Sequence, residues 1–227
     1  MAVQSSAEGP HGQSSNAEAY RRRFVVEVHR LLAMGYARLN IATFQRLQEP
    51  AITAELVEAI DAITEDRASP AWTHRYAVYD DPPVRLSGRK GKQRPRVDIR
   101  IRRTERGKHP RFEIEAKKLR VDDKQAVSRY VGKAGLGCFI SGRYSRTYEE
   151  AGMLGYIMSE SYAYWEEKIS QRLEKDRVAC QMIGSWTPAQ HVKALQSCHC
   201  TIHNRNDVEK TLTVYHTLLL LVPGIVL

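Results

Sequence analysis

Two glutamates and a lysine stand at two-residue intervals in the segment RFEIEAKKL, residues 111–119. Phe112, Ile114 and Ala116 alternate with Glu113, Glu115 and Lys117, the period of a β-strand whose successive side chains point to opposite faces. A second alternating segment, RVDIRIRR at 96–103, sets Val97, Ile99 and Ile101 against Asp98, Arg100 and Arg102. If the two strands pair, Asp98 and Glu115 are cross-strand neighbours on one face. That face is either solvated or built around a cation, because two adjacent carboxylates repel unless positive charge lies between them. Hard divalent cations take oxygen ligands, and Mg²⁺ keeps waters beside one or two carboxylates and a substrate phosphate. On this reading Asp98, Glu115 and the carbonyl of Ala116 hold Mg²⁺ or Mn²⁺. Lys117 orients the attacking water or stabilises charge developing on a phosphate. Glu113 shares the face but lies outside the pattern, as a supporting or surface residue.

The surrounding charge points to the same class of partner. The 227-residue chain carries a formal charge of +9. Between Arg85 and Arg120 alone, fifteen Lys and Arg face four Asp and Glu, a surplus larger than that of the whole chain. Such a cluster favours a polyanion, nucleic acid before an anionic membrane surface. Arg96, Arg100, Arg102 and Lys118 are the candidate contacts to the phosphate backbone. Contacts of this kind give affinity without sequence information. No signal-peptide pattern opens the chain, and the longest apolar run, LLLLVPGIVL, is too short to span a bilayer. The four cysteines form no CxxC pair. The expectation is a cytoplasmic protein with reduced thiols and no membrane partner.

The elements that must position these residues follow from periodicity. Residues 1–16 are Ser-, Gly- and Gln-rich and read as disordered. Helices are expected over 17–38, with Phe24, Val25, Val28, Leu31 and Leu32 as the apolar stripe, and over 50–66, with Ile52, Leu56, Ile60 and Ile63 buried. Strands at 74–81, 96–103 and 111–119 form an antiparallel meander around a basic loop at 82–95. A helix at 122–132, a strand at 152–159 and a helix at 162–177 follow. Residues 200–222 read as a hairpin with an Asn/Asp turn. The order indicates an α/β fold with a mixed sheet.

Here the residues carry a resemblance. RVDIRI…RFEIEAKKL resembles the core of the PD-(D/E)XK nuclease superfamily, in which an Asp on one strand precedes a Glu/Asp-x-Lys on the next. The matching positions are Asp98, Glu115 and Lys117, with Ala116 between, and the similarity covers roughly residues 45–160. The proline of the family's Pro-Asp pair is displaced here to Pro95. The resemblance implies a restriction-endonuclease-like core with a central mixed β-sheet flanked by helices at 17–160, and a C-terminal helix and hairpin packed on it at 161–227. It implies a metal-dependent nuclease acting on DNA rather than RNA, in a bacterial defence or restriction setting, as a homodimer or part of a larger complex. Members often add an acid from the first core helix, which maps to Glu49. Some place a Gln four residues before a Tyr on the next helix. Gln125 is the candidate, although Arg129 holds the position of the Tyr.

Other motifs carry less. SCHCTIH groups Cys198, His199, Cys200 and His203, but Cys-x-Cys on one strand is poor geometry for zinc. GKAGLGCFISGRY lacks the Gly-Lys-Ser/Thr ending of a phosphate loop and reads as turns and close packing. The alternatives to a nuclease are a non-catalytic nucleic-acid-binding domain of the same fold and, with no anchor helix to support it, a peripheral membrane protein.

Overall fold

The computed structural model describes residues 11–85, 88, 90–105 and 110–222. Two helices come first, α1 (His11–Tyr36) and α2 (Glu49–Glu65), then strands β1 (Tyr76–Asp80), β2 (Ile99–Arg103) and β3 (Arg111–Leu119). Short helices α3 (Ala126–Val131) and α4 (Leu136–Ile140) lead to β4 (Glu150–Ile157). Helix α5 (Tyr162–Lys175), β5 (Thr187–Pro188), β6 (Ser197–Arg205) and β7 (Lys210–Leu220) complete the order.

All seven strands of the described residues share one sheet, in the order β1-β2-β3-β4-β7-β6-β5. β1, β2 and β3 form the antiparallel meander read from the alternation. β4 then pairs parallel with both β3 and β7, so the sheet is mixed. A parallel neighbour needs a crossover, and α3 and α4 supply it between β3 and β4.

Helices cover both faces. On one, the stripes of α1 and α2 read from the sequence pack against Ile99, Ile101, Phe112, Ile114, Leu154 and Tyr156. On the other, α3, α4 and α5 enclose Leu119, Met153, Val214 and Leu218. Consequently the polar face of β3 is covered too, and Glu113, Glu115 and Lys117 are 3, 6 and 8% exposed. A solvated charged face is thereby ruled out for these three residues.

Several expectations are corrected. α1 begins at His11 rather than 17, since no Gly or Pro between residues 13 and 34 stops a helix from propagating back from its anchored half. Residues 1–10, the rest of the expected disordered segment, lie outside the described residues. The glycine-rich segment contains α4, and β5 had no sequence signal at two residues long. The C-terminal hairpin does not pack on the core as an extension, because β7 is hydrogen-bonded beside β4 within the sheet. Among the described residues no helix is long and apolar enough to cross a membrane.

Candidate active site

The site is built where the meander comes apart. β2 and β3 stay in register up to the pair Ile99 and Ile114. Beyond it the chain before β2 leaves β3 and continues only with the segment after β1: Asp81 N–H donates to the Asp98 carbonyl (2.9 Å) and Val84 N–H to the Pro95 carbonyl (2.8 Å). The edge of β3 is then left without a strand over its last residues. Its main-chain donors still need acceptors, and two carboxylates provide them. Asp98 Oδ2 accepts the N–H of Ala116 at 2.7 Å. Glu49 Oε2 accepts the N–H of Lys118 at 2.8 Å.

Glu49 arrives from another element. It is the first residue of α2, with Pro50 directly after it, where a fixed φ and a missing N–H suit the first turn. The helix N-terminus also favours its negative charge. Residues 49, 98 and 115 are thus delivered by a helix start, a strand start and a strand interior.

All three acids face one ammonium. Lys117 Nζ lies 2.9 Å from Glu115 Oε1, 3.1 Å from Glu49 Oε1 and 3.8 Å from Asp98 Oδ2. It also donates to the carbonyl of Ala116 at 2.5 Å. That carbonyl is the main-chain ligand expected from the sequence. Glu115 Oε2 is buried with no hydrogen-bond partner among the described residues.

One ammonium among three carboxylates leaves a surplus of negative charge in a poorly solvated place. Burial, then the neighbouring Asp98, pushes Glu115 up to about 8. Burial likewise raises Asp98, against the pull of Lys117 and the Ala116 N–H. Burial favours the neutral amine of Lys117, but the charges of Glu115, Glu49 and Asp98 outweigh it and hold Lys117 above the ordinary lysine range.

The donor set fits a hard divalent cation: three carboxylates, one main-chain carbonyl and an orphaned buried carboxylate oxygen. Among the described residues no three His, Cys, Asp or Glu side chains stand close enough to share an ion as they are placed. Lys117 Nζ lies among these acids, within 2.9 to 3.8 Å of all three. A cation binding there would be held by Glu115, Asp98 and the Ala116 carbonyl, and Lys117 Nζ would have to withdraw toward solvent or substrate.

The remaining candidates separate. Arg100 shares the face but is engaged, donating to Glu113 (3.0 and 2.7 Å) and to the Pro83 carbonyl. Arg96 is exposed and paired with Asp81. Arg102 stacks over Tyr79, 5.0 Å from the ring centre. Lys118 points to the opposite face of β3, where Nζ donates to the Leu47 carbonyl at 2.6 Å and ties the strand to the segment before α2. Gln125 is exposed at the start of α3, with no side-chain bond to the acids, because α3 begins at Ala126 and carries its buried face on Ala126, Tyr130 and Val131.

Two supporting roles had weak sequence signals. Glu113, the supporting residue of the alternation, accepts from Arg100 and from the N–H (2.7 Å) and hydroxyl (3.2 Å) of Ser145. It fixes the loop after α4, where Ser145 has φ +47°. Tyr144 Oη donates to the Arg96 carbonyl at 2.5 Å and closes that loop onto the segment before Asp98. The SCHCTIH segment lies on β6, whose alternation puts Cys198 and Cys200 on the opposite face from His199 and His203.

Compared with known proteins, the chain matches no family model, no curated protein and no solved structure.

Proposed function

We propose that this chain is a metal-dependent nuclease with a restriction-endonuclease-like core, hydrolysing phosphodiester bonds in DNA in preference to RNA. The observation that carries this reading is the convergence of Glu49, Asp98, Glu115 and the Ala116 carbonyl on Lys117 Nζ, from positions far apart in the sequence. Buried charge is costly unless paired, and three acids gathered on one lysine, with Glu115 buried among them, are unexpected in a domain that needs only stability. The order of elements supports it as well: a helix, three antiparallel strands with the acids on the second and third, a helical crossover, then a parallel strand.

In this reading Asp98, Glu115 and Ala116 hold Mg²⁺ or Mn²⁺, and Glu49 supports the cluster from the helix start. The cation, when bound, supplies positive charge against the phosphate oxygens. Lys117, released from the acids, donates from Nζ to the attacking water or to a phosphate oxygen. The basic segment around β2 attracts the nucleic acid. A homodimer or a larger complex would supply targeting, and defence against foreign DNA is the setting such an activity suits.

A second reading has its own observation. Lys117 already pairs with the acids, so the cluster could be a permanent ion-pair network in a non-catalytic nucleic-acid-binding domain. Supercoiled plasmid incubated with Mg²⁺ or Mn²⁺, with and without EDTA, separates the two. Nicking that needs metal and is lost in Lys117→Ala supports the nuclease. Salt-dependent DNA binding by wild type and variant alike, with neither cutting DNA or RNA, supports the binding domain.

A further inference from the structure

A second charged feature lies on the same face, separated from the acids by the Arg100–Glu113 pair. It is a cavity of about 360 Å³ lined by Arg85, Arg94, Arg100, Arg102, Arg111 and Tyr79 among others. Glu113 balances Arg100. Among the described residues, Arg85, Arg94, Arg102 and Arg111 form no ion pair.

Two further observations point to a ligand. Arg102 and Arg111 are register partners across β2 and β3, and like charges directly opposed on adjacent strands destabilise a sheet. In addition, the Nε atoms of Arg94 and Arg102 are buried without a hydrogen-bond partner. The fold therefore gathers four uncompensated guanidiniums around one hollow and leaves two of their donors unused. An anion between them would relieve the repulsion and take up the donors.

We propose that this cavity binds a phosphate monoester, the terminal phosphate of a nucleic-acid strand or of a free nucleotide. Guanidinium forks match the oxygen geometry of phosphate. A monoester carries a charge of about −1.5 to −2 near neutral pH, more than the single charge of an internal phosphodiester, and suits a cluster of four cations better. The site is separate from the acidic cluster, so it stands whether or not the chain cleaves nucleic acid. If it does, the pocket selects strand ends.

Thermal melting with inorganic phosphate against chloride at equal ionic strength tests the binding. At about pH 7.5, millimolar phosphate should raise the wild-type midpoint by about 3 °C or more. Asp98→Asn, which leaves the cavity lining untouched and should melt no lower than wild type, should keep the shift. The double variant Arg102→Gln/Arg111→Gln should lose it while melting no lower than wild type in chloride, since the change removes opposed charges. Should the double variant fold poorly, Arg102→Lys keeps the charge without the fork and should lose most of the shift. No phosphate-specific shift, or one that survives in both arginine variants, would overturn the proposal. Oligonucleotides with a 5′ or 3′ phosphate, compared with hydroxyl ends and with a mononucleotide, then identify the source. Tighter binding of one phosphorylated end assigns a strand terminus, and equal binding of nucleotide and strand assigns a free nucleotide.

Discussion

The carboxylate of Asp98 stands in for a missing strand: its Oδ2 accepts the N–H of Ala116 at 2.7 Å, where β2 has left β3. Glu49 does the same for Lys118. The acids of the candidate site therefore also complete the sheet, and charge and hydrogen-bonding capacity can be removed separately.

Asp98→Asn keeps an acceptor for Ala116 and removes one of the crowded charges. Its stability in EDTA should equal or exceed that of wild type, while metal-dependent cleavage falls by at least about 100-fold. Asp98→Ala should lose the activity and also cost about 1–3 kcal/mol, the penalty of a donor left unsatisfied. Urea denaturation of the two variants beside cleavage rates checks this. Equal stability loss in both would mean that the main-chain bond contributes nothing.

Lys117→Met removes the cation that neutralises the cluster. Taking one partner from a buried charge group costs about 3–5 kcal/mol, so the variant should be strongly destabilised in EDTA at neutral pH. Mn²⁺ should restore stability, and its effect on the melting midpoint should exceed that on wild type, because no ammonium competes for the same oxygens. Cleavage should be absent in either case. A variant that Mn²⁺ fails to stabilise would argue against a metal at these acids.

Glu115 gives the pH dependence a sign. Its carboxyl is raised from the ordinary value to about 8. Between those limits the folded state binds the proton more tightly than the unfolded chain. Stability of the metal-free protein from this group is therefore full below about pH 4.5 and lost as pH rises through 8. Metal binding needs the ionised form, so Mn²⁺ affinity and cleavage should climb across the same window and level off above it. Glu115→Gln should flatten the stability profile in EDTA. Melting and metal titrations from pH 6 to 9 that stayed flat would mean that the carboxyl is not raised.

The positions of Asp98, Glu115 and Lys117 were legible because strand periodicity is local: two residues along a strand return to the same face. The stripes of α1 and α2 were legible for the same reason. What periodicity could not supply was pairing at a distance. Nothing in the sequence says that β7 lies beside β4, or that the chain before Asp98 peels away from β3 and opens the edge on which the site depends. The alternation left Glu113 undecided between support and surface, and the bond to Ser145, 32 residues on, decides it. Lys118 is the reverse case, basic and adjacent to Lys117 but on the wrong face by one residue. Arg85, Arg94 and Arg111 could be counted in the basic segment, yet only the register of β2 and β3 brings Arg111 opposite Arg102.

The imidazoles of β6 and β7 set the acid limit of the fold. His203 Nδ1 lies 2.8 Å from the Cys180 carbonyl, which can only accept, so Nδ1 carries the proton and Nε2 accepts from Thr201 at 2.7 Å. Thr201 Oγ1 then accepts from His216 Nε2 at 2.8 Å, and His216 Nδ1 accepts from Tyr130 Oη at 3.2 Å. The chain of bonds works only with both rings neutral. Burial lowers His203 to about 4 and His216 well below the ordinary value. The unfolded chain thus binds protons that the folded state refuses, and stability falls as pH drops from about 6.5 toward 4, by up to about 1.4 kcal/mol per pH unit for each ring. Thr201→Val interrupts the chain at its centre and leaves two ring nitrogens unpaired. It should cost about 2 kcal/mol or more at pH 7 without altering metal-dependent cleavage, because no member of this chain bonds to Glu49, Asp98, Glu115 or Lys117. Loss of cleavage in a folded Thr201→Val protein would instead place the histidines in the chemistry.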